Sequence, residues 1–87
     1  MSFRRVETEL GELILIEPTV HGDERGFLVE TFRDDGWREL GIEVEFVQEN
    51  HSRSGRDILR GLHFQTKPGQ AKLVRCLRGQ IWDVAVD

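Results

Sequence analysis

The chain has 87 residues, a formal net charge of −4, 38% hydrophobic and 32% charged residues, and a single cysteine. This composition excludes a disordered polyelectrolyte, and the acidic balance leaves no electrostatic case for nucleic acid or an anionic membrane surface. Ten of the twelve basic residues are Arg, whose planar fork suits a bidentate grip on phosphate or carboxylate. Cys76 has no partner for an internal disulfide and reads as a small core filler. The length suits one small domain, residues 1–87, near the size at which a single core is marginal. No uninterrupted apolar run suggests a signal peptide or a membrane span, so the chain reads as cytoplasmic.

In chain order, strands dominate. "FRRVETE" and "ELILIEP" are two extended runs separated by Leu10 and Gly11, and Pro18 ends the second. "HGDERG" has glycines near both ends and reads as a loop leading into the strand "FLVETF". One short helix is predicted near residues 34–40, with Asp34 as its cap, Trp37 and Leu40 on one face and Gly41 as its stop. "VEFVQENHS", "DILRGLHFQ", "AKLVRCLRG" and "IWDVAVD" then read as four further strands. Their close spacing predicts a mainly β fold, an antiparallel sandwich or barrel. A β-prone run at the very end of the sequence is expected to need a partner chain or a continuation of the same fold.

Several polar residues interrupt these apolar patterns. Strict alternation puts Phe46, Gln48 and Asn50 on one strand face, where two amides suit a hydrogen-bonding pocket better than a dry core. His63 shares a face with Leu59, Gly61 and Gln65, and Gly61 leaves room beside it. Lys72 follows the Pro68–Gly69 turn and can stand across from His63. An imidazole takes a proton near neutral pH and an ammonium stabilises an oxyanion, so the pair suits proton abstraction next to a carbonyl. A structural His and a solvated Lys are the alternative reading of the same spacing. A metal centre is disfavoured: Gly61 precedes His63 by two, no Glu lies between His63 and Asp83, and Lys67 and Lys72 would repel a cation.

Four segments, "GDERGFLVETF", "VEFVQENHSRS", "LRGLHFQ" and "GQAKLVRCLRGQIWDVAVD", resemble the dTDP-4-dehydrorhamnose 3,5-epimerase family in order and spacing. The resemblance covers essentially the whole chain and roughly the first half of a family-length protein. It implies a cupin-type jelly roll and a homodimer. The implied substrate is a dTDP-4-keto-6-deoxyhexose, with no metal and no cofactor. It implies that His63 is the catalytic base and that Lys72 steadies the enolate oxygen. Arg25 and Glu30 match substrate-contacting residues, Phe27 a wall for the nucleotide, and Gln48, Glu49 and Asn50 a binding triplet. Arg60 matches the group that grips the diphosphate, although alternation sets it opposite His63 unless Gly61 makes a bulge.

The implied reaction inverts C3 and C5 of dTDP-4-keto-6-deoxyglucose, using the substrate's own ketone as electron sink. The family's proton donor is a tyrosine, and this sequence has none. The acid that pairs with the His also falls in the second half of the family pattern. The 87 residues alone are therefore expected to turn over little or no substrate. The alternatives are a non-catalytic nucleotide-sugar-binding or remnant module, and an epimerase acting at only one of the two carbons.

Overall fold

The computed structural model describes residues 2–87. The first sheet pairs β1 (Phe3–Val6) with β2 (Leu15–Pro18), antiparallel, with Phe3 opposite Pro18 and Val6 opposite Leu15. Arg4 stands directly across from Glu17 and donates to its carboxylate at 2.9 Å, the opposite-charge cross-strand pair that favours this register. Ser2 and Thr19 extend the pairing by one rung, since the Thr19 amide donates to the Ser2 carbonyl at 3.0 Å. Both strands are shorter than the sequence runs predict. Thr8 diverts the chain between them: its hydroxyl lies 2.7 Å from the carbonyl oxygens of both Leu10 and Leu13, and such local bonds compete with a ladder.

The second sheet is a hairpin of β3 (Val20–Asp23) and β4 (Gly26–Val29), in register from Val20 opposite Val29 to Asp23 opposite Gly26. The segment read as a loop from its glycines thus contributes His21, Gly22 and Asp23 to a strand, leaving only Glu24 and Arg25 to turn. The signal in "HGDERG" was that of a tight turn. Gly26 closes it at φ 128°, a conformation that disfavours any side chain.

Helix α1 (Asp34–Glu39) lies close to the predicted position. Its cap is Arg33, with extended φ and ψ and no capping side chain, rather than Asp34. Asp34 instead accepts from Arg38 one turn on at 2.9 Å, placing acid at the positive end of the helix and base at the other. The helix stops as predicted. Gly41, at φ 92°, donates its amide to the Arg38 carbonyl, and Ile42 donates to that of Trp37, both at 3.0 Å, which is the six-to-one and five-to-two closure of a Schellman end.

Trp37 is the buried hydrophobic side chain among the described residues, at 4% exposure. Its ring stacks on Phe3 with centroids 5.3 Å apart and meets Phe32 at 5.8 Å, distances in the attractive range for aromatic pairs. The cluster joins β1, the segment after β4 and α1. Arg5 adds a bond from its guanidinium to the Leu40 carbonyl at 3.1 Å.

The architecture is therefore mainly β, antiparallel, with one short helix. The described residues form two separate two-stranded sheets, fewer strands than a jelly roll contains. The contacts divide the chain into two units, one of residues up to Glu43 with Trp82–Asp87 and one of Val44–Ile81. The strands expected over residues 44–52, 57–65, 71–79 and 81–87 do not form, because a strand exists only by pairing and these segments find no ladder partner among the described residues. Apart from the half-buried Phe46, their large apolar side chains stay exposed, Leu59 at 93% and Trp82 at 92%.

Gly36 tests the aromatic cluster. A Cβ there would stand 2.8 Å from the Phe3 ring, so the ring must leave its place against Trp37. Alanine gains helix propensity of about 1 kcal/mol, whereas displaced core packing costs roughly 1–3 kcal/mol. Gly36→Ala is expected to lower stability and red-shift Trp37 emission. Equal or higher stability in urea titration would show that the cluster does not hold these elements.

Candidate functional site

The candidate residues fall into two groups, one in each unit. In the first, Arg25 occupies the two-residue turn between β3 and β4. Asp23, the last residue of β3, holds it by three bonds. The Arg25 amide donates to Oδ1 at 2.8 Å, while Nε and Nη2 donate to Oδ2 at 3.1 and 2.6 Å. Donation from the Arg25 side chain and then from its backbone amide holds the Asp23 carboxyl below its ordinary 3.8. Phe27 lies on β4 opposite Gly22 and is three-quarters exposed, at 75%.

Glu30 follows β4. Its Oε1 is buried without a hydrogen-bond partner, and the Arg33 guanidinium stands 3.2 Å away as an ion pair outside hydrogen-bond alignment. Arg33 also donates to Asp35 at 2.6 Å. Asp35 first and then Glu30 raise the Arg33 pKa, and the same bond to Arg33 lowers that of Asp35. One guanidinium thus links the residue after the hairpin to the first turn of α1.

In the second unit, Gln48, Glu49, Asn50, Arg60, His63 and Lys72 are all exposed. Arg60 is held locally, its Nε donating to the Ser54 hydroxyl at 2.7 Å and its Nη2 to the Arg53 carbonyl at 3.4 Å. Gly61 adopts φ 135°. With no strand at this place, neither the alternation that opposed Arg60 to His63 nor the bulge invoked to reconcile them applies. His63 and Lys72 are joined by no hydrogen bond or ion pair among the described residues. An open hollow of about 330 Å³ lies on the chain between them, lined by Phe64, Gln65, Thr66, Lys67, Pro68 and Gln70. No group of three or more His, Cys, Asp or Glu among the described residues is placed to hold a metal ion.

Three side-chain partners escaped the sequence reading, Asp23, Arg33 and Ser54. Asp23 was legible: an Asp two residues before an Arg in a Gly-flanked turn is the pattern of a side chain that closes the turn on itself. Ser54, six residues from Arg60, carried no such signal.

These observations define a β chain that carries a clamped guanidinium at a hairpin tip and solvent-facing Arg, His and Lys groups suited to anion binding and proton transfer. The chain belongs to the dTDP-4-dehydrorhamnose 3,5-epimerase family, whose model matches residues 7–87. It is 55% identical over 85 residues to a protein of that name from Methanothermobacter thermautotrophicus, covering 98% of this chain and 46% of the relative. It is 51% identical over 84 residues to the protein of that name from Shigella flexneri, covering 94% and 46%. The match to that from Escherichia coli K12 is 50% identical over 84 residues, covering 94% and 45%. The chain thus spans about half the length of the curated relatives it matches. No solved structure matches it.

The Asp23 clamp has a pH dependence of fixed sign. A carboxyl whose folded pKa is depressed contributes stability that is present above its unfolded value, here 3.8, and is lost as pH falls through the folded value. The Arg25 amide and Nε resonances are therefore expected to keep their positions from neutral pH down to about 4 and to move only below it. Movement centred between pH 5 and 7 would contradict the clamp.

Proposed function

We propose that the chain is the front part of a dTDP-4-dehydrorhamnose 3,5-epimerase acting on dTDP-4-keto-6-deoxyglucose in deoxysugar biosynthesis. The observation that carries this reading is the family match across residues 7–87, at about half identity to enzymes of that name. Because the chain spans 46% of such a relative, the activity is proposed for a family-length protein. In this reading the fold completes to a cupin-type jelly roll, the protein is a cytoplasmic homodimer, and no metal or cofactor takes part. Among the described residues no helix is long and apolar enough to cross a membrane. The exposed Val47, Leu59, Leu62 and Phe64 support the need for further chain to cover them.

The mechanism assigns each group one task. The C3 and C5 protons flank the C4 ketone, which acidifies them. His63 removes one, the C–H electron pair moves into the ring to form an enolate, and Lys72 offsets the charge on its oxygen. A proton delivered to the opposite face of the carbon inverts the centre and regenerates the ketone. Arg60 grips the diphosphate, Gln48, Glu49 and Asn50 bind the substrate's polar groups, Arg25 and Glu30 contact it, and Phe27 walls the nucleotide.

A second reading, a module that binds the nucleotide sugar without turning it over, is favoured for these 87 residues by the absence of any Tyr to return the proton. Both readings require a diphosphate grip. In calorimetry, dTDP is expected to bind the chain, with Arg60→Ala weakening affinity about tenfold or more, the range of a hydrogen bond to a charged group. His63→Ala is expected to leave it within about threefold, since a base acts on the transition state. Absence of dTDP binding, or the same loss in both variants, would sink the assignment.

A further inference from the structure

The turn at Arg25 contains an asymmetry that the proposed role of that residue does not explain. A guanidinium has five N–H donors in a fixed plane. Asp23 takes two of them, Nε and one of Nη2, through a single oxygen, Oδ2, and it takes the Arg25 backbone amide through the other. Those two donors lie along one side of the guanidinium. The end of the fork, formed by Nη1 and the outer N–H of Nη2, has no partner among the described residues, and the Arg25 side chain is 85% exposed. That end presents two parallel donors at the spacing that a phosphate or carboxylate accepts.

The element that holds Arg25 is better fixed than Arg25 itself. Asp23 ends β3 and is paired with Gly26 of β4, so its backbone belongs to the ladder, whereas Arg25 sits in the loop. The amide bond to Oδ1 fixes the Asp23 side chain against the turn, and the bonds to Oδ2 then fix the long Arg25 side chain against Asp23. An unrestrained arginine loses much rotamer freedom on binding a ligand, and a restrained one loses less.

We propose that Asp23 is a positioning residue for Arg25: it clamps the side of the guanidinium and leaves the end of the fork set outward to bind a pair of anionic oxygens, those of a nucleoside diphosphate. The proposal rests on the reading of Arg25 as a substrate-contacting residue and adds to it the group that aims it. Glu24 and Asp23 both carry negative charge in the same turn, so charge alone assigns Asp23 the opposite effect. By charge, removing a carboxylate beside an anion site tightens binding. By positioning, removing it weakens binding. The sign of one measurement separates the two.

Asp23→Asn keeps the shape of the side chain and an oxygen for the Arg25 amide, and it removes the charge that holds the guanidinium. With dTDP as the probe and the whole chain as the protein, Asp23→Asn is expected to weaken affinity about fivefold, within the range for one side chain newly ordered on binding. Two NMR observations accompany it. The Arg25 Nε proton is expected to exchange with water faster in the variant, while the hairpin amides of Gly22 and Phe27 keep their shifts, which a merely structural role for Asp23 would not allow. Affinity equal to or tighter than that of the unsubstituted chain, with Arg25→Ala still weakening it, would overturn the positioning role and leave Arg25 as a contact. Unchanged affinity in Arg25→Ala would remove Arg25 from the site and the proposal with it. If the unsubstituted chain failed to bind dTDP, the functional reading itself would fall, and the role of Asp23 would fall with it.

Discussion

The first strand, the segment leaving the hairpin and the helix are joined by one contact set, the Trp37 ring between Phe3 and Phe32. Each neighbour brings a different element: Phe3 the first strand, Phe32 the segment that leaves the hairpin, and Trp37 the helix. A two-stranded sheet alone is marginal in water, and a helix of six residues is too short to persist by itself. Neither would hold without burial, and Trp37 is where burial occurs. Gly36 is small because the Phe3 ring lies over it, so the close approach and the stacking are one constraint.

That constraint reaches the candidate site through the chain. The hairpin carrying Arg25 and Phe27 runs directly into Glu30, which meets Arg33, which meets Asp35 at the start of the helix. Arg33 and Asp35 are exposed and contribute little stability by charge alone; with the half-buried Glu30 they link the segment after β4 to the first turn of α1. The residues from Val44 to Ile81 contribute no buried aromatic side chain among the described residues. They carry His63, Lys72 and Arg60, and none of their side chains is buried. Arg60 is held by Ser54 and Arg53, close neighbours in sequence, and by no distant hydrogen bond among the described residues.

What the sequence made legible follows this division. The helix, its Gly41 stop and the two early strands were readable because their signals are local: a stop glycine, Trp37 and Leu40 on one helix face, and extended runs punctuated by Gly11 and Pro18. The hairpin at "HGDERG" was misread as loop because two glycines outweighed the Asp–x–Arg–Gly turn signal, and Arg33 displaced Asp34 as the cap because Asp34 pairs with Arg38. The later strands were read from alternation in segments such as "VEFVQENHS" and "DILRGLHFQ". Alternation reports which face a strand would bury, and pairing decides whether the strand exists. The roles of His63, Lys72 and Arg60 came from four motifs in order, since spacing alone favoured a structural His and a solvated Lys.

In the proposed function, these 87 residues carry a base and a nucleotide-binding surface without the acid that completes the reaction. The direct test is deuterium uptake into dTDP-4-keto-6-deoxyglucose in heavy water, read separately at C3 and C5, with His63→Ala alongside and thermal protection measured in the same samples. The account predicts that the sugar nucleotide raises the melting temperature while neither carbon gains deuterium beyond the buffer rate. Deuterium at both carbons, lost in His63→Ala, would contradict it by showing that this stretch alone assembles a working proton-transfer site.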